Sequence, residues 1–303
     1  MSGPRSESAV ARGTDSGSTS GPDFAGVFRA AGVTGWLHAA DLDTGREVGH
    51  GSDEPVPTAS VFKVPLMVEL CRQADAGLLD PAARVTVRAA DRVFGPTGVS
   101  AMLDDVTMSL RDLAYLMIAV SDNTAADVLS ARVGLDAVNA MLSRFGLEGT
   151  RVRHTTAALF ESMVEDTGHG WPYLDPVEIA SLRVLDPRRA NRSTPRETAR
   201  LFGLIWRDEA ASPGSCAWMR AVLNKQVWPH RLASGFPYDD VDVSGKTGTL
   251  PTLRNEAGVV EYPDGGRYAV AVFTRSSSPA VNQPRADAVI GTAARMAVDH
   301  LRR

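Results

Sequence analysis

The amino-acid sequence predicts an α+β fold, in which an antiparallel sheet built from both ends of the chain is flanked by helices and carries an inserted all-helical lobe. Strand patterns bounded by turn residues occupy both ends of the chain, and helical patterns fill its middle. The 303 residues, 44% of them hydrophobic, can bury a large core as one domain. We expect a cleft where the two lobes meet.

The N-terminal elements follow from local signals. Residues 1–22 are rich in Ser, Gly, Thr, Arg and Pro and lack periodicity, so we expect a disordered tail. A short helix over 24–31 and a β-hairpin with its turn at 43–45 come next. Helical spacing then begins at Ser60 and ends near Gly77, a typical C-terminal stop.

The middle of the chain is rich in helical patterns. Residues 110–134 predict two consecutive helices that meet near Ser121, and residues 136–146 and 195–210 predict two more. This region forms the predicted helical lobe, residues 60–240.

The last sixty residues return to strands. Strand patterns cover 241–250, 255–263 and 265–275, and an amphipathic helix covers 284–303. Together with residues 23–59 they form the predicted α/β lobe, 23–59 and 241–303, so that 23–303 is a single domain.

Composition and charge exclude several classes of function. The net charge is −4 and both signs are scattered, which argues against a nucleic-acid partner. No stretch approaches the roughly 20 apolar residues that span a membrane, and the start of the chain lacks the apolar centre of a secretory signal, so we expect a cytoplasmic protein. The two cysteines and six dispersed histidines predict neither a disulfide framework nor a metal site, and no cofactor motif is present.

Three short motifs carry the predicted chemistry, in the order S-V-F-K at 60–63, S-D-N at 121–123 and K-T-G at 246–248. Their contexts are a helix start, a helix junction and a strand. Of the 32 lysines and arginines only three are lysine, and two of these three, Lys63 and Lys246, lie inside the motifs. Since arginine cannot act as a base and a desolvated lysine can, this bias indicates that the motif lysines have a chemical role.

The first motif predicts a nucleophile with its base. Ser60 and Lys63 are three residues apart on a predicted helix, so their side chains face the same side and the lysine can take the hydroxyl proton. The backbone N–H of Ser60, at a helix N-terminus, can donate to a developing oxyanion. We expect the second donor to be the N–H of Thr249, on a strand where Gly248 allows a substrate to approach closely.

From about Val33 to its C-terminus the chain resembles the class A β-lactamase-type serine hydrolases of the penicillin-recognising superfamily, which share these motifs in this order. The resemblance implies that Ser121 relays a proton to the leaving nitrogen. It also implies that Asn123 holds the substrate amide and that Lys246 supports Ser121 electrostatically.

The same resemblance implies a binding site for a substrate carboxylate. Thr247 on the third motif and Arg254 on the following strand stand at the corresponding positions, although an exposed ion-paired arginine is a second reading of Arg254. Phe94 resembles the aromatic residue that walls the family's cleft, with core packing as the alternative.

One segment, which we expect to be a long loop, departs from the family. Residues 154–194 should carry the glutamate that activates the deacylating water, followed shortly by Leu-Asn. Glu178 stands at the right spacing before Pro195, but Leu182 stands where the asparagine would be, so Glu178 is read either as a deacylation base or as a helix-surface acid. The segment is long, and residues 171–173 could form a lid or a buried aromatic cluster.

The sequence therefore predicts a serine hydrolase that acts through an acyl-enzyme on a small-molecule β-lactam or a related amide or ester. A biosynthetic acyltransferase, amidase or esterase that reuses the fold is one alternative. A β-lactam-binding protein that is acylated without efficient turnover is the other. A Ser-His-Asp hydrolase is disfavoured, because no serine has glycine at both −2 and +2.

Overall fold

The structure of the protein is a computed structural model and describes residues 21–170, 174–278 and 280–303. The predicted tail, residues 1–22, lies outside the described residues apart from Gly21 and Pro22. The helices are α1 Phe24–Ala30, α2 Lys63–Asp75, α3 Leu110–Ala119, α4 Asn123–Val133, α5 Leu135–Arg144, α6 Thr156–Thr167, α7 Pro176–Ser181, α8 Pro195–Trp206, α9 Pro213–Leu223 and α10 Pro284–Leu301. The strands are β1 Val33–Asp41, β2 Glu47–His50, β3 Val56–Pro57, β4 Arg84–Val87, β5 Val106–Ser109, β6 Arg192–Ser193, β7 Asp242–Leu250, β8 Leu253–Glu261 and β9 Arg267–Ser276.

The predicted α+β fold is confirmed. In the described part of the chain the main sheet has five antiparallel strands in the order β2-β1-β9-β8-β7, so the N-terminal hairpin pairs with the C-terminal strands through β1 and β9. Strand β7 forms one edge of this sheet. In its register with β8, Thr247 stands opposite Glu256.

Helices cover both faces of the sheet. Helices α1 and α10 pack on one face, where Phe28 and Ile290 are fully buried. The other face, through Ala257, Ala271 and Phe273 among others, packs against a larger core formed by α2, α3, α4, α5, α8 and α9. Among the described residues no helix combines the length and the apolar character needed to cross a bilayer.

Helix α8 lies within residues 60–240, the predicted helical lobe. Its apolar side, including Phe202 and Ile205, is buried in the core that contacts the sheet, and the helix lies against β1, β8 and β9. The sheet needs a helix on this face to bury its apolar side chains. Helix α8 therefore packs with the sheet although it belongs to the predicted helical lobe in sequence.

The 154–194 segment has more regular structure than the sequence predicts. It contains α6, α7 and the short strand β6, which pairs with β3 just before Ser60. The Asn191 side chain connects the two ends of the segment. Its Oδ1 accepts hydrogen bonds from the N–H groups of Arg153 and His154, at 2.7 and 2.8 Å, and its Nδ2 donates to the His154 carbonyl. The two ends of the segment therefore lie together beside the Ser60 turn.

Candidate active site

A cavity of about 280 Å³ lies between β7 and the helical part of the molecule. The described residues that line it come from the Ser60 turn, the Phe94 loop, the junction of α3 and α4, helix α6, the segment before β7 and β7 itself. They include Ala59, Ser60, Phe62, Phe94, Gly95, Pro96, Thr97, Val120, Ser121, Asn123, Thr156, Leu159, Phe160, Trp228, His230, Arg231, Thr247, Thr249 and Leu250. The structure thus brings residues of all three motifs to one cavity.

Ser60 lies in a 3-10 turn, Ala59–Phe62, that leads directly into α2. The preceding residue, Ala59, has a φ of +47°, a left-handed conformation that costs energy for a residue with a side chain and occurs preferentially at functional sites. Ser60 lines the cavity. The hydrogen bonds of Lys63 Nζ in the described part of the chain go elsewhere, and none reaches Ser60 Oγ.

Lys63, the first residue of α2, is fully buried, and its ammonium nitrogen contacts the junction of α3 and α4. Nζ donates to the Ser121 carbonyl and to Asn123 Oδ1, both at 2.8 Å, and lies 3.3 Å from Ser121 Oγ. Burial lowers the pKa of Lys63 to about 7, against the opposing charges of Asp122 and Asp127. A pKa near the working pH is favourable for a general base.

The junction of α3 and α4 holds Ser121 in an uncommon backbone conformation, with a φ of +61°. Asp122, which is fully buried, caps α4 by accepting from the Ala125 N–H at 3.1 Å and also accepts from the Val99 N–H at 2.6 Å. These bonds fix the junction to the loop on the far side of the cavity. Ser121 is thereby presented to the cavity with its carbonyl toward Lys63.

Asn123 links the base to the aromatic wall of the cavity. Its Oδ1 accepts from Lys63, and its Nδ2 donates to the Phe94 carbonyl at 2.8 Å. The Phe94 ring is 63% exposed and meets Phe160 of α6 edge to face, with ring centroids 5.7 Å apart. Phe94 therefore walls the cavity rather than packing in the core, and Phe160 extends that wall from an element the sequence did not predict.

The free edge of β7 faces the cavity. The Thr247 N–H donates to Gln226 Oε1 at 2.6 Å, so this N–H points away from β8. Because alternate residues of a strand direct their N–H groups to the same side, the Thr249 N–H lies on this free edge too. It is correctly directed to be the second oxyanion donor that the sequence predicts.

Gly248 closely approaches the Ser60 turn. A Cβ atom at Gly248 would lie 2.6 Å from the Thr58 carbonyl oxygen and 3.2 Å from Ala59 Cβ. No side chain fits in this space. The glycine therefore lets β7 pack directly on the turn and so sets the separation of Ser60 from Thr249.

Lys246 is fully buried and donates to the Thr247 carbonyl at 2.9 Å. Burial lowers its pKa well below the ordinary value, and the nearby charge of Lys63 lowers it further. The two buried lysines thus oppose each other's protonation, an arrangement that favours a neutral amine.

The structure does not bring Arg254 to the cavity, which corrects the sequence interpretation. The Arg254 side chain is only 3% exposed, and Nη1 donates to the carbonyls of Leu250 and Leu253, at 3.3 and 2.8 Å. Its Nε lies 3.6 Å from Asp287 Oδ1. On β8 the side chain is directed between the sheet and α10, where it is satisfied by protein groups.

Arg231 lines the cavity instead, a residue that the sequence motifs did not indicate. It is 4% exposed; Nη2 donates to Thr249 Oγ1 at 2.8 Å and Nη1 to the Gly248 carbonyl at 3.0 Å. Asp287 of α10 accepts from Nε at 2.7 Å and fixes the guanidinium. Arg231 thus places a positive charge beside Thr249.

Glu178 does not line the cavity. It is the third residue of α7, where its side chain accepts from the Asp175 N–H at 2.7 Å in a capping box and contacts His169 Nε2 at 2.7 Å. Leu182, at the position of the missing asparagine, is buried in an apolar cluster with Leu159 of α6. The predicted lid at 171–173 lies outside the described residues.

Titratable groups with metal-binding potential are not clustered in this site. Across the described ranges no group of three or more His, Cys, Asp or Glu side chains could hold a metal ion. None of the described residues that line the cavity is an aspartate or a glutamate.

Comparisons with known proteins match nearly the whole chain. The β-lactamase enzyme family matches residues 22–301. The β-lactamase regulatory protein BlaB of Streptomyces cacaoi is 36% identical over 298 residues, covering 91% of this chain and 95% of that protein. A β-lactamase of Streptomyces albus G is 27% identical, covering 97% and 89%. The crystal structure of a β-lactamase from Sphaerobacter thermophilus has a TM-score of 0.76 at 30% identity, covering 91% and 96%.

Proposed function

Because the chain belongs to the β-lactamase enzyme family, we propose that it is an active-site serine hydrolase in which Ser60 is acylated by a β-lactam or a related amide or ester. The observation that carries this proposal is the buried Lys63, with a pKa of about 7, between the Ser60 turn and Ser121.

In the acylation half, neutral Lys63 takes the hydroxyl proton as Ser60 Oγ attacks the substrate carbonyl carbon. The N–H groups of Ser60 and Thr249 stabilise the oxyanion that forms. When the carbon–nitrogen bond breaks, the proton passes from Lys63 to Ser121 Oγ, 3.3 Å away, and Ser121 gives its own proton to the leaving nitrogen. The net result is an ester on Ser60 and a neutral amine, carrying the transferred hydrogen, on the substrate.

A substrate carboxylate fits the β7 end of the cavity. Thr247 and Thr249 supply hydroxyl groups there, and Arg231 supplies the charge. Arg231 thus takes the role that the sequence assigned to Arg254. Asn123, fixed by Lys63 and Phe94, offers an amide to the substrate's acyl side chain.

Among the described residues that line the cavity, none supplies a carboxylate base for deacylation. Leu159 and Phe160 of α6 occupy the wall, and Glu178 caps α7 away from it. Without a base to activate water the acyl-enzyme should hydrolyse slowly. This favours a second candidate function, a β-lactam-binding protein that is acylated without efficient turnover, and the regulatory role named for the Streptomyces cacaoi relative supports it.

Intact-protein mass measured over time with benzylpenicillin, a cephalosporin and a simple ester tests both candidates. We expect an adduct of the full benzylpenicillin mass that forms faster than it is hydrolysed and is therefore detectable, and we expect no adduct in Ser60→Ala. An adduct that disappears with time supports the hydrolase, whereas an adduct that persists supports the second candidate. Equal adduct formation in Ser60→Ala would refute the proposed nucleophile.

A further inference from the structure

A buried carboxylate lies directly behind the carboxylate-binding end of the cavity, and the proposed mechanism does not use it. Glu256 of β8 is 1% exposed and stands opposite Thr247 of β7. Its Oε2 accepts from the Leu232 N–H at 2.7 Å, and its Oε1 accepts from Gln226 Nε2 at 2.6 Å. Burial raises the pKa of Glu256 to about 7, which the Leu232 bond and the charges of Arg231 and Lys246 oppose.

Both hydrogen bonds lead to groups at the cavity. Gln226 connects Glu256 to Thr247, because its Oε1 accepts a hydrogen bond from the Thr247 N–H at 2.6 Å. Leu232 directly follows Arg231, whose guanidinium contacts Thr249. The Glu256 carboxylate of β8 thus holds the 226–232 segment at two points, and Gln226 extends the connection to Thr247 of β7.

We propose that Glu256 is a positioning residue for the carboxylate-binding end of the cavity: through Gln226 and Leu232 it fixes Thr247 and Arg231 relative to each other. Its contribution is selectivity for substrates that carry a carboxylate. This inference rests on the proposed acylation of Ser60.

The directions of these three hydrogen bonds require a carboxylate at one of positions 256 and 226 and an amide at the other. Glu256 meets two donors, and Gln226 must donate to Glu256 while accepting from Thr247. In Glu256→Gln the new amide group faces either the Leu232 N–H or, through a rotated Gln226, the Thr247 N–H. One donor is left facing another donor in either orientation.

Exchanging the two side chains restores every bond. In the double variant Glu256→Gln/Gln226→Glu, residue 256 accepts from Leu232 and donates to residue 226, whose second oxygen accepts from Thr247. The pair of variants therefore separates loss of the hydrogen-bond pattern from simple replacement of Glu256.

The experiment compares benzylpenicillin with its methyl ester, which keeps the ring and removes the negative charge. The apparent dissociation constant and the limiting rate of acylation are measured for each compound by quenched intact mass. For Glu256→Gln we expect the dissociation constant of benzylpenicillin to rise about tenfold, the equivalent of one lost hydrogen bond. The constant for the methyl ester and the limiting rates should stay unchanged, and the double variant should regain the wild-type preference.

The outcomes separate this inference from the proposed function. Wild-type protein that neither compound acylates overturns the proposed function and the positioning role with it. Wild-type acylation with the same preference in Glu256→Gln overturns the positioning role alone, as does a folded double variant that does not recover. If Glu256→Gln does not fold, Gln226→Ala removes the contact to Thr247 from the less buried end and must reduce the same preference.

Discussion

At the scale of single residues, the proposed chemistry depends on the burial of Lys63. Its amine is fully buried, and its pKa of about 7 lies well below the ordinary 10.5. The neutral form that can accept a proton is therefore abundant at physiological pH. The low pKa also explains why this position is a lysine in a chain that otherwise prefers arginine.

We predict that the rate of Ser60 acylation rises with pH and reaches half its maximum near pH 7, because only deprotonated Lys63 acts as the base. Lys63→Arg should abolish acylation, since a guanidinium keeps its proton at every accessible pH. The rate of adduct formation between pH 5.5 and 8.5 measures the first effect. A flat profile in this range, or acylation of folded Lys63→Arg at the wild-type rate, would contradict the assignment.

The sequence pointed to Ser60, Lys63 and Ser121 but not to Arg231. The reason is that local structure orients the first three side chains, whereas tertiary contacts orient the arginine. Ser60, Lys63 and Ser121 were identifiable because local structure, a helix start and a helix junction, orients them. Arg231 and Arg254 were not distinguishable, because the direction of each guanidinium depends on tertiary contacts with α10 and β7. Sequence spacing carries no information on such contacts.

At the scale of elements, the 154–194 segment lines the cavity and bears on the proposed deacylation. Helix α6 presents Thr156, Leu159 and Phe160 to the cavity. Its N-terminus is tied to α4 by Asp127, whose carboxylate accepts from the N–H groups of Thr156 and Ala157 at 2.6 and 2.8 Å. The side of α6 that lines the cavity is thus largely apolar, and the start of the helix is held in place by α4.

We predict that Glu178→Gln leaves the lifetime of the acyl-enzyme unchanged, since Glu178 caps α7 and does not line the cavity. Glutamine can still accept a hydrogen bond from the Asp175 N–H through its Oε1, so the capping box and the stability should be preserved. Asp175→Ala removes the N-cap itself, should lower stability by about 0.5–2 kcal/mol, and is the control for a structural effect of this helix start. Longer-lived adduct in Glu178→Gln but not in Asp175→Ala would restore Glu178 as a deacylation base.

Element prediction succeeded where apolar periodicity was strong and failed where the family pattern was followed instead. Helices α3, α4 and α8 have clear helical spacing and were predicted. Helix α6 was read as part of a loop, although Thr155 caps its start and Gly168 ends it in a left-handed conformation. These two signals were present in the sequence, and attention to the capping residues would have found the helix.

At the scale of the whole molecule, the site depends on contact between the sheet edge and the turn that carries the nucleophile. Strand β7 comes from the C-terminal part of the chain and the Ser60 turn from the N-terminal part, and they meet at Gly248. Asn255 of β8 adds a second connection by donating to the Pro57 carbonyl at 3.0 Å. The sequence predicted both partners of this contact, whereas their separation is a property of the assembled fold.

Replacement of Gly248 by alanine tests whether this contact sets the catalytic geometry. The new Cβ would lie 2.6 Å from the Thr58 oxygen, so β7 and the turn must move apart. We expect overpacking to cost about 1–3 kcal/mol of stability and the displaced oxyanion donors to slow acylation roughly 10- to 100-fold.

Gly214→Ala is the matched control, because nothing lies within 4 Å of its Cβ position on the exposed start of α9, and there alanine should preserve both properties. Thermal unfolding and the rate of adduct formation at Ser60 measure the two effects. A wild-type acylation rate in Gly248→Ala would mean that the turn adjusts without moving the donors, and that the contact serves packing alone.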